Sequence, residues 1–203
     1  MTEAYDRFKK EVAAQGRERL DGFSLSWVDG LTDEERDQVR QELTVLLSTD
    51  RRVPEALYAL DGQASLPLIA AELAATPMDD EDFRLTAAQV LLKATDDATY
   101  VHLLEDLLLH AKSKYVRNGA AGSLAKVLNV PTVDDVLFRA LSSEKEQITR
   151  SFIASCLLER FGITYENKQT SHLRRAYGNT LARGTQAQRE KAYAELQKYK
   201  KDK

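Results

Sequence analysis

Cysteine is nearly absent from this chain, with Cys156 the single one in 203 residues. One cysteine excludes an internal disulfide framework, and a reducing compartment fits that usage. No stretch approaches the roughly 18 to 20 apolar residues that a membrane-spanning helix needs. The opening Met1–Arg7 lacks the apolar core of a secretory signal. These absences lead us to expect a cytoplasmic protein with no membrane association. Histidine is scarce as well: His102, His110 and His172 are accompanied by no HExxH, CxxC, phosphate-loop or GxSxG pattern. His102 and His110 share one predicted helix but stand about 12 Å apart along it, too far to hold a metal without further ligands. The chain therefore reads as non-enzymatic, with no cofactor, catalytic residue or metal site expected.

Net charge is small but unevenly placed. The formal total is -3, with 29 Lys and Arg against 32 Asp and Glu. Residues 168–203 hold ten of those cations and three of the anions, which leaves 19 minus 29, or -10, for residues 1–167. An acidic body repels phosphate backbones and attracts a basic partner, whereas the basic tail alone could touch nucleic acid or an acidic surface. With 43% hydrophobic residues, the chain is too apolar to be wholly disordered.

What is present is a repeat. Leu60, Leu91, Leu124 and Cys156 follow one another at spacings of 31, 33 and 32 residues. The same overlay equates Ala56, Ala87, Ala120 and Phe152, then Leu57, Ala88, Ala121 and Ile153. It predicts the buried face of a recurring helix. On that face Cys156 is expected to be core filling and not a nucleophile. Apolar spacing predicts helix pairs over 33–48 with 51–60, 64–75 with 81–94, 97–111 with 114–128, and 132–142 with 145–160. Asp61-Gly62, Thr76-Pro77, Asn129-Val130-Pro131 and Phe161-Gly162 interrupt the runs where helices should end. A charged amphipathic helix over 2–19, ending at Asp21-Gly22, is expected to cap the array. Thr32 with Glu35 forms a capping box for the next helix. Trp27, in the apolar link 23–30, is expected to plug the end of the array, the alternative being an exposed contact for a partner or a base. The resulting division is an N-terminal helical cap and linker over 1–30, a repeat array over 31–165 and a basic helical cap or tail over 166–203, in one structural domain.

At these residues the chain resembles the HEAT-repeat family. Val116-Arg117-Asn118-Gly119-Ala120-Ala121-Gly122-Ser123-Leu124 matches the start of that family's second helix, and Phe83-Arg84-Leu85-Thr86-Ala87-Ala88-Gln89-Val90-Leu91 matches as well. Pro67 sits in a first helix, where the family tolerates a bend. In the other units Ile148-Thr149-Arg150 displaces the arginine by one place, and Arg51-Arg52-Val53-Pro54 puts a proline at the helix start. The resemblance covers about residues 33–160. It implies an all-α, right-handed solenoid of about four helix pairs, and it carries no catalytic residue.

Second helices line the concave side of such arrays, so the resemblance points to the side of each that faces away from the core. That row is Thr86, Gln89 and Lys93 in one unit, then Gly119, Gly122 and Lys126 with Asn118 at the margin. In the last unit it is Ser151, Ala154 and Leu158 with Arg150 beside them. Gly119 and Gly122 each cost a helix roughly 0.5–1 kcal/mol relative to alanine, so the expectation is that a neighbouring helix or the C-terminal segment packs closely there or that the positions have drifted, the alternative being a protein partner at this small-residue patch. The acidic clusters 33–35, 79–82, 96–97 and 134–135 stand at predicted helix N-termini, where the helix dipole accounts for them. None has the calcium-loop pattern of an EF-hand. As a partner-facing rim they would favour a basic protein such as a cationic toxin. In the tail, Arg174-Arg175 and Lys198-Tyr199-Lys200-Lys201 are expected to belong to a cap docked on the acidic body, with nucleic-acid contact the alternative.

The chain is thus expected to be a protein-binding module. Small acidic HEAT-like proteins are similar to bacterial immunity proteins, which bind and neutralise a cognate toxin, and that resemblance supplies the most specific expectation. The alternatives are a regulatory scaffold for a host protein and a HEAT-like DNA glycosylase or other nucleic-acid binder.

Overall fold

The structure, a computed structural model, describes residues 1–16, 22–165 and 168–201. These residues form helices, turns and loops, with no strand among them. The chain is therefore all-α, and it divides into two compact units, Met1–Asp97 and Ala98–Lys203.

The first unit opens with α1 (Glu3–Ala13), whose N-cap Thr2 accepts a hydrogen bond from the Tyr5 amide. The helix stops at Ala13, short of the expected 2–19, because Ala14 turns extended; the expected stop at Asp21 lies outside the described residues. After a 3-10 turn at Val28–Gly30 comes α2 (Asp33–Leu46), and the Thr32–Glu35 capping box is fully formed. Glu35 does double duty there, since its carboxylate also accepts from the Thr2 amide and hydroxyl at 2.6 and 2.8 Å. Trp27 is fully buried, edge-on to Phe8 at 5.0 Å, with its indole N–H donated to Glu11 at 3.1 Å. That burial removes it as an exposed contact.

Pro54 opens α3 (Val53–Asp61), where a missing amide costs no intrahelical bond. Gly62, at φ +56, then breaks the chain into a short 3-10 turn before α4 (Leu66–Ala75). Asp80 caps α5 (Glu81–Thr95), which ends at Asp96 in the left-handed conformation. α2 packs on α3, α4 on α5, and the two second helices α3 and α5 on each other. On those second helices Ala56, Leu57, Leu60, Phe83, Ala87, Ala88 and Leu91 are all buried.

The second unit contains α6 (Ala98–His110), α7 (Lys114–Leu124), α8 (Thr132–Ser143), α9 (Gln147–Arg160), α10 (Lys168–Arg183) and α11 (Gln186–Lys201). α6 packs on α7 and α8 on α9; in addition the first helices α6 and α8 adjoin, as do the second helices α7 and α9. A buried ion pair locks this arrangement: Arg160 binds Asp134, with side chains 1% and 4% exposed, and donates to the carbonyls of Leu124, Val127 and Val130. The basic tail packs on the same unit. Arg174 binds Glu159 at 3.0 Å, and Tyr193 stacks on Phe138 at 4.2 Å while donating to Asp135 at 2.7 Å. The side chains at positions 199–201 lie outside the described residues.

Candidate interaction surface

Arg84, Arg117 and Arg150 stand at equal spacings of 33 residues, and each performs the same local task. Arg84 donates to the Thr76 carbonyl at the end of α4, at 3.5 Å. Arg117 donates to the carbonyls of Ala111 and Lys112 just past α6, at 2.9 and 3.0 Å. Arg150 donates through Nε and Nη2 to the carbonyl of Glu144, the C-cap of α8. An arginine one turn into α5, α7 and α9 thus satisfies the orphan carbonyls where the preceding helix ends.

This job fixes the true register of the last unit and corrects the expected one by a single residue. Aligned on the arginines, Ala120, Ala121 and Leu124 correspond to Ile153, Ala154 and Leu157. Those three are 1%, 1% and 0% exposed. Phe152, expected in the core, is 42% exposed and takes the position of Gly119. Ala154 and Leu158, expected on the open row, are both 1% exposed. Cys156 is buried on either alignment, and burial pushes its thiol up to about 12. A slip of one residue rotates a helix by 100 degrees, enough to exchange its faces.

The expected site residues fall into two groups, one in each unit. In the first unit Thr86 and Gln89 are half-buried and Lys93 is exposed; the Thr86 hydroxyl is turned back to the Asp82 carbonyl at 3.1 Å. In the second unit Asn118, Gly119 and Gly122 are half-buried and Lys126 is exposed. Ser151 returns its hydroxyl to the Gln147 carbonyl at 2.9 Å, and Arg150 is committed to its capping role. At Gly122 the neighbour is Phe152 from α9, 3.6 Å from where a β-carbon would stand, an ordinary van der Waals separation.

Side chains that the sequence reading passed over complete this surface. Tyr115 is 73% exposed, Ile148 79% and Phe152 42%. On α7, Tyr115, Gly119 and Gly122 recur at spacings of four and three, one continuous face, and Lys126 follows in the turn just past the helix. Ile148 is the repeat equivalent of Tyr115, and Phe152 stands one turn further along α9. The adjoining second helices therefore present three large apolar side chains around a glycine pair. Spacing by the arginines, in place of the apolar overlay, would have revealed them.

Charge around the patch is fixed by one buried carboxylate. Glu144 accepts from Arg117 Nε at 2.8 Å and from the amides of Lys145 and Glu146 at 2.8 and 2.9 Å. Burial pushes this carboxyl up, but Arg117 and the two amides outweigh that and hold it below the usual carboxylate range. Lys114 pairs with Glu146 at 3.3 Å. In the residues that flank α7 and α9, Lys112, Lys126 and Lys145 are exposed alongside the one exposed acid Glu146, so the balance of charge there is cationic.

The expected acidic rim is largely engaged in structure. Glu35 and Asp80 cap helices, Asp82 binds Arg51 at 2.7 Å, Asp134 is buried with Arg160, and Asp135 accepts from Tyr193. A cleft in the first unit, lined by Asp50, Arg51, Arg52, Asp80, Asp82 and Phe83, is likewise closed electrostatically by the Arg52–Asp50 and Arg51–Asp82 pairs. Among the described residues no group of three or more His, Cys, Asp or Glu side chains is placed to hold a metal ion, and no helix is long and apolar enough to cross a membrane.

These features define an all-α protein that presents an apolar patch, flanked by a cationic balance of charge, on a pair of adjoining helices. No protein-family model matches the chain, and comparison with curated proteins and with solved structures found no match.

Proposed function

We propose that this protein is a HEAT-like α-solenoid acting as a non-enzymatic protein-binding module, with a toxin that it neutralises as the partner. The exposed trio Tyr115, Ile148 and Phe152 carries the reading, because large apolar side chains grouped on one helical face are characteristic of protein-binding sites. Two further features support the solenoid part. Second helices adjoin within each unit, and the arginine that caps the preceding helix recurs in register. The immunity part rests on the resemblance of small acidic HEAT-like proteins to toxin-neutralising ones.

The local charge refines the partner's character. The net -10 of residues 1–167 attracts a basic protein at long range. At the patch itself Lys112, Lys126 and Lys145 favour a docking segment that is apolar and flanked by carboxylates.

The test starts from a partner captured with the full chain, purified and titrated calorimetrically against wild type and Ile148→Asp. A one-to-one complex weakened at least ten-fold by the substitution, with unchanged melting temperature, supports the reading. Loss of the captured protein's toxicity on co-expression supports the immunity role. A complex indifferent to Ile148→Asp moves the binding surface elsewhere, and recovery of nucleic acid alone overturns a protein partner.

A further inference from the structure

The second unit contains a buried arginine with no acid to balance it. Arg189, in the first turn of α11, is 9% exposed, and its buried Nε has no hydrogen-bond partner. No carboxylate lies within ion-pair distance of it among the described residues. The acids carried by the surrounding elements are engaged elsewhere: Asp135 with Tyr193, Glu144 with Arg117, Glu146 with Lys114, Glu190 with Gln186 and Glu195 with Tyr177. The charged group that does act on Arg189 is a second cation, Arg150. Burial first, and the nearby Arg150 guanidinium second, pull Arg189 below its ordinary value. An unbalanced buried charge of this kind is a substantial penalty for a fold to carry.

The repeat supplies an internal comparison. Arg117 and Arg150 hold equivalent positions and cap equivalent helices, but Arg117 also grips a carboxylate, that of Glu144 in the α8–α9 link, through Nε and Nη2 at 2.8 and 3.3 Å. One unit further on, the corresponding link is the α10–α11 connection around Gly184 and Thr185. That link is brought beside the start of α9 by Gln147, whose side-chain amide donates to the Ala182 carbonyl at 3.2 Å. It carries Arg183, Gly184 and Thr185 and no acid. Arg150 has accordingly no carboxylate partner. Its Nε and Nη2 are taken by the Glu144 carbonyl, which leaves Nη1 without a protein acceptor among the described residues.

We propose that Arg150 and Arg189 form a binding site for a small oxyanion, such as phosphate, sulfate or a carboxylate, held by Arg150 Nη1 and by the unpartnered Nε of Arg189. Guanidinium groups suit this ligand because each free N–H donates a charge-assisted hydrogen bond to an anion oxygen, and two such groups would share its charge. The site does not depend on the proposed partner.

Inorganic phosphate and sulfate, titrated into the full chain against chloride at matched ionic strength, test the proposal by calorimetry and thermal unfolding. The expected result is saturable one-to-one binding with a melting temperature that rises with ligand concentration. Arg189→Gln should abolish both the binding and that rise. In chloride buffer the same substitution should raise the melting temperature, since it removes an unbalanced buried charge. Lys10→Gln, which removes one exposed positive charge in the other unit, should change neither. Arg150→Gln, which also loses a helix cap, should weaken phosphate binding at least ten-fold in samples whose circular dichroism shows them folded. Acetate binding in place of phosphate and sulfate would identify the ligand as a carboxylate. No saturable binding of any of these anions, or equal binding by wild type and Arg189→Gln, would overturn the site.

Discussion

The ring of Phe152 covers Gly122, its Cζ standing 3.6 Å from where a β-carbon on that glycine would be. This is an ordinary van der Waals separation, so a methyl group fits without displacing the ring. Glycine inside a helix is unfavourable by roughly 0.5–1 kcal/mol relative to alanine. Gly122→Ala should therefore stabilise the chain by about that amount and raise its melting temperature by about 2–3 °C. A lowered melting temperature would show that the ring cannot yield even a few tenths of an ångström. Gly122→Trp, by contrast, has to expel Phe152 from α7 and should destabilise the chain while leaving it helical.

A second prediction concerns the buried pair of Asp134 and Arg160. The Arg160 side chain is 1% exposed, and its remaining donors are occupied by the carbonyls of Leu124, Val127 and Val130. Removing one partner of such a pair leaves an uncompensated buried charge, typically a loss of about 3–5 kcal/mol. Asp134→Ala should lose that much in urea denaturation followed by circular dichroism. Asp134→Asn should lose less, because the amide oxygen still accepts a hydrogen bond. Equal losses would mean that charge contributes little and packing most.

Much of this architecture was legible because it rests on local patterns. Every helix expected between residues 33 and 160 forms close to its expected bounds, since apolar spacing and stop residues such as Gly62 act within a few residues. The Thr32–Glu35 capping box was readable for the same reason. The last second helix was misread because apolar residues there occur on both candidate faces: Phe152, Ile153, Leu157 and Leu158 allow two registers. The arginines decide between them through hydrogen bonds to carbonyls contributed by another helix. Exposure of Tyr115 and Ile148 was invisible for a related reason, since an apolar residue at the start of a helix is ordinarily counted as core. The pairing of Glu144 with Arg117, and the lack of any such partner for Arg150 and Arg189, depend on which links adjoin in space.

Cys156 gives a prediction about alkali. Burial, then the charge of Glu159, push its thiol from 9.0 to about 12. Below about pH 9 the thiol is protonated in both folded and unfolded chains, so it adds no pH dependence. Between about 9 and 12 the unfolded chain loses the proton first, so stability falls as pH rises, by at most about 1.4 kcal/mol per pH unit from this group. Cys156→Ala should flatten that decline in denaturation curves taken from pH 8 to 11. A thiol-reactive chromogen at pH 8 should label the native protein only at the rate of unfolding. Prompt labelling would show that the sulfur is open to solvent.

Lys126 decides the charge character of the partner. It stands in the turn just past α7, one turn beyond Gly122, and it is exposed. If the docking segment is flanked by carboxylates, Lys126→Glu weakens binding, and it does so mainly through the association rate, by about ten-fold at low salt. The loss should shrink as salt rises to about 0.5 M, where screening shortens the reach of exposed charges to a few ångströms. If instead a basic segment docks there, the same substitution speeds association and tightens the complex. Stopped-flow association rates for wild type and Lys126→Glu at two salt concentrations separate the cases by sign, and melting temperatures within about 1 °C of each other confirm that the fold is unaltered. Lys93→Glu, in the other unit, is the companion measurement. An effect of the same sign and size there would bring Thr86 and Gln89 of the first unit into the binding surface, and no effect would confine it to the patch around Phe152.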